Sequence, residues 1–388
     1  MKPHNAVLAR LSSAQRAALS HVEATVRGQE EAARSRVVGI LSRAGCTTDT
    51  YDQAMKCIEL NARVVVHFHP DRFGHKSTTV ADLLLNEGVY RNQFETGLSS
   101  GSLSAYPGGL RDTWEKALFG GAYHVDGVTG SERPKYGALE LVRHPDGPTP
   151  RFGSCYLVLR PDVSRRTSFT FMGSEDPRAT ERLGVMGRMD GVMAALLLEV
   201  EQGGMATPSW PPFRAPTLGI PELTVPRLLE FINTLSQPRR DPAEAEPGRV
   251  LDSAVEAHVH GLVHLREDVE LLVADPAFVG TAVGTILLEL GRYYEIPVRW
   301  HNGFRLLVSD VPDDFRGPAM PRLAQRIAGK NGAIDAAVIG SAAASLHQHP
   351  EVWQDWDAPA ETLQHLKQLW HVLVQFGSPA LGTRGTPV

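Results

Sequence analysis

Cysteine is scarce. The 388-residue chain carries three, Cys46, Cys57 and Cys155, and no two of them form a CxxC pair. That excludes a disulfide framework and a zinc-finger pattern, and predicts free thiols in a reducing compartment. Long hydrophobic runs are missing too. The longest, Val192 to Leu198, is far too short to cross a bilayer, and the N-terminal stretch has no apolar segment of the secretory-signal kind. Neither sign of charge dominates: 39 Lys+Arg face 44 Asp+Glu, a net charge of −5. The sequence therefore carries no nucleic-acid signal and no membrane signal. No glycine-rich dinucleotide fingerprint follows a strand, and there is neither a P-loop nor an HExxH motif. A cytoplasmic protein is expected, although an effector secreted without a classical signal peptide would share these features.

With 42% hydrophobic and 21% charged residues, the chain has enough apolar material for a substantial core. Three stretches differ in texture. Residues 1–62 read as an N-terminal helical region, with apolar residues at helical spacing. Residues 63–318 read as an α+β core, opened by the β-branched run Val64-Val65-Val66. A proline-rich insert lies at about 207–249. Residues 319–388 read as a C-terminal helical region with a frayed tail from Gly377. The expected fold class is α+β, a mixed or antiparallel β core flanked by helical regions.

Strand phase selects the first candidate residues. In VVVHFHPDR, alternation puts His67 and His69 on one face and Val64, Val66 and Phe68 on the other. In VEAHVHGLVH, a strand expected within 250–264, Glu256, His258 and His260 share a face. If the two strands are neighbours, four histidines and one glutamate converge. Between Asn86 and His124, glycines alternate with Tyr90, Phe94, Tyr106, Trp114, Phe119 and Tyr123, rings able to stack on a planar ligand. Arg72, Arg91 and Arg111 are suited to phosphates. In Arg166-Thr167-Ser168-Phe169-Thr170, the hydroxyls of Ser168 and Thr170 share a strand face.

The segments HFHPDR, EGVYRNQFETGLSSG, LFGGAYH, ERPKYGAL, RFGSCYLVL and EAHVHGLVHLREDVE resemble an uncharacterised bacterial family built on a domain of unknown function, over about residues 60–320. That family more often carries Gln at the position of His258. The order of features also resembles the ADP-ribosyltransferase fold. A His-bearing strand comes first, then a helix and the phrase ending in ETGL, a Gly/aromatic stretch, a strand with hydroxyls, and a strand bearing Glu256 before a small turn. This resemblance implies NAD as substrate. Glu256, His67 and His260 become the expected catalytic side chains. His69, Arg72, Arg91, Tyr123, Tyr136, Ser168 and Thr170 become the expected NAD contacts. The arginine-modifying branch carries Glu-x-Glu, but Ala254 stands two residues before Glu256, which argues against an arginine target and leaves NAD hydrolysis or transfer to another acceptor open.

Two other function classes fit the same residues. A metal-dependent hydrolase would seat a divalent ion on an HxH strand with Glu256, drawing further ligands from Asp71, His75, His264 or His301. A non-catalytic interaction protein would use the helical ends, where Trp353, Trp356 and Trp370 cluster. His69-Pro70-Asp71 also resembles the J-domain signature, which would imply a chaperone partner.

Overall fold

The computed structural model describes residues 10–74, 78–97, 105–206, 214–329 and 332–380. Helix α1 (Ser13–Arg43) starts at Ser12, whose hydroxyl accepts the Gln15 N–H while the Gln15 side chain returns to the Ser12 N–H. Helix α2 (Thr48–Asn61) is capped by Thr47. Strand β1 (Arg63–Phe68) follows, then α3 (Val80–Glu87), α4 (Leu110–Leu118), β2 (Lys135–Glu140), β3 (Cys155–Leu159), β4 (Thr167–Phe171) and β5 (Leu183–Val185). The chain continues through α5 (Asp190–Glu201), α6 (Val225–Asn233), β6 (Val255–Val259), β7 (Val269–Ala274), α7 (Ala282–Tyr293) and β8 (Val298–Trp300). It closes with α8 (Ala319–Ala328), α9 (Ala336–Gln348) and α10 (Pro359–Phe376). Shorter turns and two-residue strands connect these elements.

The eight strands form one mixed sheet in the order β8-β7-β3-β1-β2-β6-β4-β5. All of its pairs are antiparallel except β7 with β8. The architecture is thus a mixed α/β sheet with flanking helices, as the sequence texture predicts. The strand expected within 250–264 is shorter than that span. Gly261 turns the chain at φ +86° after β6, and Val263 and His264 pair instead with Val89 and Tyr90.

Period-two alternation gives the sheet two unlike faces. Val64, Val66, Phe68, Leu157, Phe169, Val255, Ala257 and Val259 enter the main core together with the helices, including Val37, Ile40 and Tyr51 of the N-terminal pair and Leu366, Leu369 and Trp370 of α10. The opposite face carries a small apolar cluster at one side, Val65, Tyr156, Val158, Leu271 and Val273. Beside it lies a polar row. Tyr136 on β2 is opposite His258 on β6, which is opposite Ser168 on β4; one step along, Ala138, Glu256 and Thr170 line up in the same way.

Strand β2 separates β6 from β1, so the two His-bearing strands are not neighbours. At the usual strand spacing they stand roughly 10 Å apart. The proline-rich stretch is partly outside the described residues, at 207–213. Its later part is held to the core by Arg239, which donates to the buried Glu140 at 2.8 Å. Residues 377–380, after α10, are also tied down, since Arg305 and Ser378 exchange backbone hydrogen bonds.

Close approach of β1 and β2 depends on Gly137. A Cβ there would lie 2.4 Å from the Val65 carbonyl oxygen, a backbone atom that cannot swing aside. Gly137→Ala is expected to cost about 1–3 kcal/mol through overpacking. Chemical denaturation checks this; an unchanged midpoint would show that the strands separate freely.

Candidate functional site

A buried hydrogen-bonded chain runs across the polar face. Glu256 Oε1 lies 2.9 Å from His258 Nε2. His258 Nδ1 is 3.3 Å from Ser168 Oγ, Ser168 Oγ is 3.1 Å from His260 Nε2, and His260 Nδ1 is 2.6 Å from the Tyr123 hydroxyl. Ser168, His258 and His260 are fully buried, and only the Glu256 end is open, its side chain 18% exposed. With both imidazoles neutral, donor and acceptor counts leave one direction. Tyr123 donates to His260, His260 to Ser168, Ser168 to His258, and His258 to the Glu256 carboxylate. Burial, aided by the nearby charges of Arg166 and Lys135, holds the His260 pKa down to about 3, which keeps that ring neutral.

Glu256 has a second donor. The loop after β4 turns through Met172 (φ +81°) and Gly173 (φ +120°) and directs the Ser174 N–H at Oε1, 2.9 Å away. Met172 is a non-glycine residue in a left-handed conformation, a strain that proteins accept mainly where function requires it. Burial opposes charge on Glu256, but His258, Arg111 and Ser174 outweigh it and hold the carboxyl below its ordinary range. Glu175 is next along the loop. Desolvation of its carboxyl by neighbouring groups, and then the charge of Glu256, raise it above the ordinary range. Two neighbouring acids are thus pushed in opposite directions, the pattern that separates an ionised carboxylate from a proton acceptor.

The wall beside Glu256 is built from α4. Arg111 places its guanidinium 4.2 Å above the ring of Tyr136. Tyr136 donates to Glu115 at 3.0 Å, and Arg133 joins Glu115 (2.8 Å) and Asp112 (2.6 Å). Arg111 Nε and Nη1 have no hydrogen-bond partner in the protein.

Further cations approach from the far end of the chain. Trp370 donates its indole N–H to the Pro150 carbonyl at 2.8 Å, and its ring meets that of His69 at 5.2 Å. These contacts pin α10 against the turn that carries Arg151. Lys367 and His371, one helical turn apart on α10, therefore lie with Arg151, Arg316 and Arg72. Burial, and then the charges of Arg151, Arg316, Arg111 and Arg72, hold the Lys367 ammonium down to about 8. Burial, and then Arg151, Arg316, Lys367 and His69, hold the His371 pKa down to about 2.

The expected site residues divide clearly. Glu256, His260, Ser168 and Tyr123 belong to the hydrogen-bonded chain, with Glu256 as its open end. Tyr123 is 2% exposed and Arg111 covers a face of Tyr136, so Tyr123 has no free ring face for nicotinamide and Tyr136 has one covered. His67 is committed to the fold: Nδ1 lies 3.1 Å from the Gly153 carbonyl, and Nε2 accepts from the Thr149 N–H at 3.4 Å. Burial holds its pKa down to about 3. His69 and Arg72 stand at the α10 side, where the charge of Arg72 adds to burial in keeping His69 neutral. Thr170 gives its hydroxyl to the Ala179 carbonyl at 3.0 Å. Arg91 is exposed and paired with Glu87 at 2.6 Å.

Sequence reasoning did not single out Ser174, Glu175, Arg151, Arg316, Lys367 or His371. Only the Lys367/His371 spacing of four on an amphipathic helix hints at a shared face. The HxH strands do not converge on a metal cage. Among the described residues, the one group of three side chains close enough to share an ion is Asp357, Glu361 and His365 at the exposed start of α10. His75 lies outside the described residues.

Ser168→Ala isolates the middle of the chain. It leaves His258 Nδ1 and His260 Nε2 without partners in a buried setting, at an expected cost of about 1–3 kcal/mol. Thermal unfolding measures it, and a melting point equal to the wild type would mean that neither imidazole relies on the hydroxyl.

Fold and site together define a mixed α/β protein with an ionised, half-enclosed carboxylate and a group of half-buried cations. Residues 63–376 match the family model described as protein of unknown function (DUF3626), and the chain belongs to that family. The match begins at the first residue of β1 and ends at the last of α10, so α10 is part of the family's domain. No curated protein matches the chain.

Proposed function

We propose that the protein cleaves the nicotinamide–ribose bond of NAD and passes ADP-ribose to a protein acceptor or to water. The observation that carries this reading is Glu256, kept ionised by His258, Arg111 and the Ser174 N–H at the only open end of a buried hydrogen-bonded chain. Breaking the C–N bond gives a ribosyl cation of oxocarbenium type, and a fixed carboxylate beside it stabilises the positive charge as it develops. The electron pair leaves with nicotinamide, which needs no proton. The acceptor oxygen then bonds to the ribose carbon, and its proton goes to Glu175, whose raised carboxyl suits that task. The order of features along the sequence supports the same reading by analogy of fold alone. His69 is better placed than His67 to meet the substrate, because both nitrogens of His67 are held by backbone groups.

The test is incubation of the full chain with NAD, with and without cell lysate as a source of acceptors, followed by mass detection of nicotinamide. Multiple turnovers of free nicotinamide are expected. No release under either condition overturns the reading.

A further inference from the structure

The cations around α10 are more than packing requires. Arg72 follows β1, Arg151 lies in the turn before β3, Arg316 precedes α8, and Lys367 is on α10, one turn from the neutral imidazole of His371. Asp252 pairs with Arg151 and lies 3.7 Å from Arg316. Asp71, beside Arg72, is drawn toward its neutral form by burial, its pKa raised to about 6. Among the described residues, no carboxylate is within ion-pair distance of Arg72 or Lys367. His371 is 3% exposed and neither ring nitrogen has a hydrogen-bond partner in the protein. The Nε atoms of Arg151 and Arg316 are likewise buried without partners. Buried donors of this kind are normally satisfied. Like charges are brought together, at a cost in repulsion, when an anion is to be held among them.

We propose that Arg72, Arg151, Arg316, Lys367 and His371 seat a diphosphate group. Cations arriving from four separate segments suit an anion whose charged oxygens are spread over two linked centres better than a compact one such as a carboxylate, which one guanidinium can pair bidentately. The assignment deepens the NAD reading, and rests on it only for the identity of the sugar that would be presented to Glu256.

Isothermal titration of the full chain with inorganic pyrophosphate, and separately with inorganic phosphate, tests the seat. Pyrophosphate is expected to bind, and phosphate at least about tenfold more weakly. Lys367→Gln is the informative variant. It removes a cation repelled by its neighbours, so the melting point does not fall, while pyrophosphate affinity drops about tenfold or more. His371→Asn, checked for folding by circular dichroism, provides a second loss of affinity. Glu256→Gln keeps pyrophosphate binding, so the two readings fail separately. Pyrophosphate binding without nicotinamide release leaves the seat standing and removes NAD. No pyrophosphate binding at millimolar concentration, equal affinity for phosphate, or unchanged affinity in Lys367→Gln overturns the seat.

Discussion

Glu256→Gln is expected to abolish nicotinamide release while leaving the fold intact. The amide oxygen can still accept from His258 Nε2 and from the Ser174 N–H, so both hydrogen bonds at 2.9 Å survive the change. What disappears is the negative charge. A preorganised charge facing a developing cation is worth on the order of 10²–10³-fold in rate when one such contact is lost, and here it is the principal contact. The loss should fall on kcat rather than on KM, because the charge matters most as the bond breaks. Glu175 supplies a second readout. In the wild type, burial and then the charge of Glu256 raise its carboxyl, so kcat/KM should rise with pH as Glu175 loses its proton. With Glu256 neutral, the second of those causes is gone and any residual activity should show its acid limb at lower pH. Turnover by the Gln variant at the wild-type rate would remove Glu256 from the chemistry and the NAD reading with it.

Much of this site was readable before any coordinates, and the part that was not has a physical reason. Alternation along 255–260 is a local property, and it put Glu256, His258 and His260 on one row, where three hydrogen bonds of the buried chain now link them, two of these through Ser168. The hydroxyl of Ser168 came from the same reasoning applied to β4. Alternation cannot report strand order, however. The sheet inserts β2 between β1 and β6, so the imidazole of His67 meets Tyr156 and two backbone groups instead of the acid. The cations were harder still to read. Arg151 and Lys367 are over 200 residues apart, and only the Trp370–Pro150 hydrogen bond and the packing of α10 bring them together. A helix at the end of a chain looks like a flank when its apolar stripe is all that can be read. Its Lys367 and His371 acquire meaning from what that stripe docks against.

The largest effect on stability is expected from Arg133→Met. Arg133 joins Asp112 at 2.6 Å and Glu115 at 2.8 Å, with side-chain exposures of 8%, 11% and 0% respectively. Among the described residues Arg133 is the one cation within ion-pair distance of Glu115, and removing it leaves a poorly compensated carboxylate in the interior, which typically costs about 3–5 kcal/mol. The sign of the pH dependence follows from the two acids. Burial raises Asp112, but the Gly108 N–H, Arg133 and His124 outweigh it, so its pKa is depressed in the folded protein. Its contribution is present above the unfolded value and fades as pH falls through the folded one. For Glu115, burial prevails over Arg133 and Tyr136 and the pKa is raised, a destabilising term above the unfolded value that vanishes on protonation. Loss of Arg133 moves both acids upward. The deficit of the variant should therefore be greatest at neutral pH and shrink as pH falls into the carboxylate range, when both acids become neutral in the folded state. Urea denaturation at neutral pH and at about pH 5 measures this. Combining Arg133→Met with Glu115→Gln should recover part of the loss at neutral pH, because the buried charge is then gone along with its partner. An equal deficit at both pH values, or no recovery in the double variant, would mean that Arg133 supports the wall by packing on Phe94, 4.4 Å from its guanidinium, rather than by charge. The same measurement bears on the proposed chemistry, since Tyr136, hydrogen-bonded to Glu115, is the platform on which Arg111 packs.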